Sequence, residues 1–261
     1  MQYSKSAIEK IKVKRVKVNS IPHYTKKLPL LTTNQMIEVD RLMIEEYGIL
    51  LIQMMENAGR GLAHLSKKLL KGKKNLDIIV LAGKGGNGGG ALVCARRLHT
   101  WGYNVKVYSV DSQNISSIPG HQLGILKKMG IEILNDSELQ HEDNVGLIID
   151  GIIGYNLKDN PQGTAKSMIN WANKQEVVVL SLDTPSGVDL STGKIYEPAI
   201  CADATLTLAL PKVGLFNDEV VPMRGDLYLG DISVPPSLYA SSTLGLKVKN
   251  IFKKSDILRI D

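Results

Sequence analysis

Four short stretches of this chain carry residue types that could do chemistry, and each follows an apolar run. The first is Gly83-Lys84-Gly85-Gly86-Asn87-Gly88-Gly89-Gly90. Its G-x-G-x-x-G spacing lets a backbone approach a phosphate at a helix start, where free N–H groups and the positive dipole end favour an anion. No G-K-[ST] closes it, so it is not a P-loop. The same glycines would also serve a turn built only to reverse the chain. The second is Asp111, one strand further on, placed to take a ribose hydroxyl. Together these two permit a nicotinamide dinucleotide site. The third is Asp150-Gly151-Ile152-Ile153-Gly154-Tyr155-Asn156-Leu157-Lys158-Asp159-Asn160. A carboxylate closing a buried apolar run is costly unless donors or a cation meet it, although it could instead cap the next segment. The fourth, Ser181-Leu182-Asp183-Thr184-Pro185-Ser186-Gly187-Val188-Asp189, sets two carboxylates and hydroxyls about a sharp turn. Oxygen-rich sets of this kind suit a hard cation or a hydroxylated substrate. His23, His64, His99, His121 and His141 fall in none of the four, which argues against a Ser-His-Asp triad.

The elements that must position these groups can be read from hydrophobic patterning. Runs over 76–82, 104–110, 145–150 and 177–182 predict strands, with helices over 91–101, 120–129 and 164–173 between or after them. Two more strands are expected over 204–210 and 227–232, with no long helix separating them. The strands are continuously apolar rather than alternating, so both faces are buried. That pattern predicts an α/β, three-layer Rossmann-like domain with a mostly parallel, doubly wound sheet. Ligands in such folds bind beyond the carboxyl ends of the strands, where all four clusters lie. Upstream, Thr32-Thr33-Asn34 can cap a helix carrying Met36, Val39, Leu42 and Met43, which Gly48 ends. A second helix is expected from Met54 to about Leu70, with small residues that admit a close neighbour.

Composition narrows the function classes. Hydrophobic residues at 43% and charged residues at 22% indicate a globular chain rather than a disordered one. No apolar run approaches the roughly 18 residues a membrane span needs, and the densest, over 49–55, contains Gln53. The N-terminus lacks a secretory pattern, and Cys94 and Cys201 stand too far apart for a C-x-x-C site. A reduced, cytoplasmic setting is expected. The net charge of +6 is local: residues 1–27 hold eight Lys and Arg against Glu9 alone, leaving −1 for the remainder. The expected organisation is a basic leader over 1–27 and one domain over 28–261. Residues 10–18 alternate as a solvated tail or one edge strand would, and a nucleic-acid partner is not indicated.

The order of Met54-Met55-Glu56-Asn57-Ala58-Gly59, the run from Val80 to Ala91, Asp150-Gly151-Ile152-Ile153-Gly154, the run from Leu182 to Asp189, and that from Thr207 to Leu215 resembles the YjeF N-terminal domain family, the NAD(P)H-hydrate epimerases. The resemblance covers about residues 32–236. It implies an isomerase that interconverts the R and S forms of NADHX and NADPHX in nicotinamide nucleotide repair, present as the epimerase module alone. It implies a potassium site at Asn87, Asp150 and Ser186. It implies substrate contacts at Gly86, Asn87, Gly88, Gly89 and Gly90, at Gly154, Tyr155, Asn156, Leu157, Lys158, Asp159 and Asn160, and at Asp183. For that reaction Asp183 is expected to be the base or acid, and Lys158 its partner or a phosphate contact. A second copy of the chain is a candidate partner. The family loop usually reads G-x-G-N-N-G-G-D-G; here Gly86 replaces the first Asn, Gly90 the Asp and Ala91 the last Gly. A non-catalytic ligand- or protein-binding module on the same fold is the alternative. A nicotinamide dehydrogenase is disfavoured, because no hydride-partner acid or base accompanies the glycines.

Overall fold

A computed structural model describes residue 18, residues 20–110 and residues 117–260, apart from the Ser117 side chain. Of the alternating stretch over 10–18, residues 10–17 lie outside the described residues, as does Asp111. The apolar runs become β1 (Asp77–Ala82), β2 (Asn104–Ser109), β4 (Val145–Gly151), β5 (Val178–Leu182), β6 (Ala204–Leu208) and β7 (Asp226–Gly230). Two further strands, β3 (Ile133–Leu134) and β8 (Ile257–Arg259), complete an eight-stranded sheet of order β3-β2-β1-β4-β5-β6-β7-β8. Every pair is parallel except β7 with β8. The winding reverses between β1 and β4, which opens a crevice beyond their carboxyl ends.

The helices are α1 (Thr33–Glu45), α2 (Leu51–Leu70), α3 (Gly86–Thr100), α4 (Ser117–Lys128), α5 (Gly163–Ala172) and the one-turn α6 (Val221–Arg224) and α7 (Pro236–Tyr239). Thr32 caps α1 reciprocally with Gln35. Alternation along β1 divides the core: Ile78, Val80 and Ala82 pack with α1 to α4, while Ile79 and Leu81 pack with Met168, Ile169 and Ala172 of α5. The sheet is therefore covered on both faces, the three-layer arrangement the sequence predicts.

One difference bears on the site. The glycine run does not form a loop ahead of a helix starting near residue 91; α3 begins at Gly86 and takes most of the run into its first turns. Glycine is a poor helix former, but here crowding outweighs propensity. A Cβ on Gly88 would come within 1.8 Å of Gly83 O, and one on Gly59 of α2 within 2.5 Å of Gly90 O. The α2–α3 crossing needs bare backbone, so the glycines serve packing as well as the site.

Residues 20–24 belong to the basic stretch yet dock on the body. Ile21 is buried, Tyr24 N donates to Arg259 O at 2.8 Å, and Arg259 N donates to Pro22 O at 2.9 Å.

Candidate functional site

β4 ends by driving Asp150 into the interior, where it is fully buried. Its carboxylate accepts hydrogen bonds from Ser181 Oγ (2.7 Å), Ser186 Oγ (2.5 Å), Ser186 N (2.9 Å) and Ile152 N (3.2 Å). Burial pushes its pKa up, against the opposing pull of these donors, led by the Ser186 hydroxyl. All four donors are neutral. Ser186 Oγ in turn accepts from Ile153 N at 2.8 Å, so the two polar turns after β4 and β5 are locked together.

Asn87 joins them from the first turn of α3. Its Nδ2 donates to Leu182 O at 2.7 Å. Its Oδ1 lies beside Gly154, where a Cβ would come within 2.7 Å of it. The set Asn87, Asp150 and Ser186 offers oxygens, one formal charge and no nitrogen or sulfur ligand. Among the described residues no group of three or more His, Cys, Asp or Glu is assembled. Asn87 Oδ1 makes no hydrogen bond to a described residue, and no cationic side chain among the described residues meets the buried Asp150 carboxyl. That oxygen-only donor chemistry suits a hard cation rather than zinc.

The end of β5 is built differently. Asp183 takes φ +64°, and Thr184 N reaches back to Leu182 O at 2.8 Å, closing a three-residue turn with Asp183 at its centre. This left-handed turn is rare and strained for a side-chain-bearing residue. It aims the carboxylate at the carboxyl end of β6. There Asp183 Oδ1 accepts from Lys212 Nζ (2.5 Å), Thr207 Oγ1 (3.2 Å) and Leu208 N (3.2 Å). Lys212 is wholly buried and also donates to Leu208 O at 2.7 Å. Asp183 Oδ2 makes no hydrogen bond to a described residue.

Asp183 and Asn87 open onto a narrow cleft of about 80 Å³, shared with Asp40 and Met36 of α1, Met54, Met55 and Ala58 of α2, Gly86, and Tyr155. Tyr155 OH donates to Asp40 Oδ2 at 2.7 Å. The roomier cleft, about 380 Å³ and lined by Asp231, Tyr239, Phe252 and Lys253 among others, opens by the ends of β6 and β7. It holds none of the expected site residues; the smaller cleft is the candidate site because the polar groups converge there.

Of the expected contacts, Gly86, Asn87, Tyr155 and Asp183 line this cleft. Gly88, Gly89 and Gly90 are buried in α3, and Gly154 sits against the Asn87 amide. Asn156, Lys158, Asp159 and Asn160 are exposed, Leu157 is half-buried, and Asn160 Oδ1 accepts from Glu197 N at 3.1 Å. Lys158 makes no hydrogen bond or ion pair with a described residue, so the protein does not pair it with Asp183. Asp189 Oδ1 accepts from Thr192 N and Thr192 Oγ1, both at 2.7 Å, and from Ser191 N at 3.1 Å, fixing its own turn. Sequence reasoning passed over Lys212 and Asp40. The signal for Asp40 was present: it shares a helical face with Met36 and Met43, where an apolar residue belongs. Lys212 stood in a quoted motif between two apolar stretches, but nothing local in the sequence names its partner.

Fold and site together define a Rossmann-like α/β protein whose ligand crevice lies beyond the carboxyl ends of β1, β4, β5 and β6. The family described as YjeF-related protein N-terminus matches residues 51–214, and the chain belongs to it. It is 39% identical over 215 residues to an NAD(P)H-hydrate epimerase of Dehalogenimonas lykanthroporepellens, covering 82% of this chain and 86% of that protein. It is 31% identical to an NAD(P)H-hydrate epimerase of Rhodopirellula baltica, covering 81% and 87%. It is 35% identical to a bifunctional NAD(P)H-hydrate repair enzyme of Moorella thermoacetica, but spans only 42% of it. A crystal structure of the yeast protein ynu0 shares the fold with a TM-score of 0.77 at 24% identity, covering 89% of this chain and all of that one.

Proposed function

We propose that this protein is an isomerase, an NAD(P)H-hydrate epimerase acting on NADHX and NADPHX. The observation that carries the reading is the convergence of Asn87, Gly86, Tyr155 and Asp183 on one cleft, in a chain that covers 86% and 87% of two NAD(P)H-hydrate epimerases. The substrate carries a hydroxyl on the ring carbon bonded to the ring nitrogen. Lone-pair donation from that nitrogen expels the hydroxyl and leaves a planar iminium. Water then adds to either face, and R and S forms exchange with no net change in composition.

This protein's groups have defined tasks in that sequence. Asp183 forms an ion pair with Lys212 through Oδ1, which leaves Oδ2 available to take a proton from the incoming water. The bare backbone at Gly86 leaves room for the substrate at the helix N-terminus, where a phosphate is favoured. Lys158, exposed on the turn after β4, would meet phosphate oxygens rather than the ring. Asn87, Asp150 and Ser186 would hold potassium, whose charge would offset that of the phosphates. Its binding should raise the thermal midpoint in potassium over tetramethylammonium, an increment that Asn87→Ala should lose.

The reading also takes a reduced cytoplasm as the setting, suited to the unpaired Cys94 and Cys201, and a second copy of the chain as partner, which light scattering checks. Among the described residues no helix is long and apolar enough to cross a membrane. The deciding assay mixes the purified protein with resolved S- and R-NADHX and follows their ratio by chromatography. Rapid equilibration is the expected result. No acceleration over buffer would favour the alternative, a non-catalytic binding module, which Gly86 and Gly90 in place of polar loop residues make the specific competitor.

A further inference from the structure

Expulsion of the hydroxyl needs a proton donor, and Asp183 is already committed to an ammonium. A second carboxyl shares the cleft. Asp40 projects from α1 on the face carrying Met36 and Met43, and it lines the hollow with Asp183, Asn87 and Tyr155. Tyr155 OH holds its Oδ2 at 2.7 Å, tying α1 to the turn after β4. Oδ1 makes no hydrogen bond to a described residue, and no Lys or Arg among them forms a salt bridge with Asp40. The two carboxyls thus differ in kind: one is neutralised by an ammonium, the other meets only a phenol.

We propose that Asp40 is the general acid that protonates the departing hydroxyl, with Tyr155 as the residue that orients it. The inference rests on the epimerase reading. In the step, the carbon–oxygen bond breaks and its electron pair leaves with oxygen, which takes the Asp40 proton and departs as water. The ring nitrogen's pair forms the carbon–nitrogen double bond. Water adds to the opposite face, its oxygen supplying the new bond and its surplus proton going to Asp183. Transfer of that proton through solvent back to Asp40 restores both groups. For return by the original face, Asp40 takes the proton itself.

Burial is the main cause raising the Asp40 pKa, and the negative charge of Asp183 adds to it. The Tyr155 hydrogen bond and the Lys212 charge act the other way. Among the described residues, Tyr155, Asp183, Lys212 and Tyr239 of α7 are the titratable groups that interact with it. The net direction is upward, as a proton donor near neutral pH requires.

The test measures kcat and KM against pH for the native protein, Asp40→Asn and Tyr155→Phe. The native rate should fall on the alkaline side as Asp40 deprotonates. Asp40→Asn should lose about 10²–10⁴ in kcat, with KM little changed and that limb gone. Tyr155→Phe removes a donor that favours the carboxylate, so the alkaline limb should move to higher pH. A folded Asp40→Asn protein with near-native kcat would overturn the proposal, as would an unmoved limb in Tyr155→Phe if Asp40→Asn does not fold. A native protein inert on NADHX would instead overturn the epimerase reading, and this inference with it.

Discussion

Lys212 Nζ lies 2.5 Å from Asp183 Oδ1, and both side chains are almost entirely sealed from water. The pair bridges the turn after β5 to the segment after β6. Breaking one half of such a pair leaves an uncompensated charge in the interior, at a cost of about 3–5 kcal/mol. Lys212→Met should destabilise by that order in urea unfolding, since it also orphans Leu208 O. A loss under about 1 kcal/mol would show that Asp183 is stabilised chiefly by Thr207 and the backbone.

Asp183 and Asp189 leave the same strand but do different work. Asp183→Asn should cut epimerisation by about 10²–10⁴ and, by leaving the buried Lys212 ammonium without its counter-charge, should also cost about 3–5 kcal/mol of stability. Asp189 spends its Oδ1 on Ser191 and Thr192. Asp189→Asn should therefore keep turnover within a few-fold and cost about 1 kcal/mol of stability. Equal losses of turnover in both variants would remove the distinction.

The two glycines that depart from the family loop have opposite surroundings. A Cβ on Gly86 meets nothing within 4 Å, so Gly86→Asn should fold normally and tighten substrate binding. Gly90 is in helical rather than left-handed backbone, so φ is no obstacle, but a Cβ there lies 2.6 Å from Leu182 Cδ2. Gly90→Asp should cost about 1–3 kcal/mol through overpacking, and Leu182→Val in the same chain should recover part of it. Thermal melts of the single and double variants check this.

Glu56 of α2 receives Arg96 Nη2 on both oxygens, at 2.7 and 2.6 Å, and Gln122 Nε2 at 3.1 Å. Burial raises its pKa, yet the Arg96 hydrogen bonds, Arg96's charge and Gln122 together leave the carboxyl lowered. A depressed carboxyl stabilises the fold above its unfolded pKa and loses that contribution as pH falls through the folded one. Glu56→Gln should cost about 1 kcal/mol at pH 7, a difference that narrows towards pH 3. A gap that widens on acidification would contradict this assignment.

Within the N-terminal segment, residues 20–24 dock on the body. Deleting residues 1–17 should leave the thermal midpoint nearly unchanged. Deleting 1–27 removes Ile21 from the core and the hydrogen bonds to Arg259, and should lower it by several degrees. An unchanged midpoint in the longer deletion would make the docked segment dispensable.

The long apolar runs of β1, β4 and β5 were legible in the sequence because burial on both faces leaves each strand a single polar side chain near one end: Asp77, Asp150 and Ser181. The clusters at their ends were legible for the complementary reason: polar groups where a buried run stops. β3 and β8, of two and three residues, are too short to carry a pattern and exist only because a neighbour pairs with them. The start of α3 was misplaced because glycine propensity is a local quantity, while the crossing with α2 that selects those glycines is not. Charge counting set residues 20–27 with the leader because it is blind to a single apolar anchor, Ile21. Lys212 was hidden for a related reason: what marks it is Asp183, which lies 29 positions earlier and meets it only in the folded chain.

The docked segment at residues 22–24 also covers part of a sheet edge. β8 would otherwise end the sheet with a row of free amides and carbonyls, a template on which another chain could polymerise. Pro22 and Tyr24 occupy that row, and His23 bridges to Arg259 in parallel. The opposite margin, β3, is two residues long. The backbone of β8 at Arg259 is therefore already paired and is not open to the strand of a second copy. Capping of this kind guards against fibrillar aggregation while leaving the carboxyl ends of the central strands open to solvent.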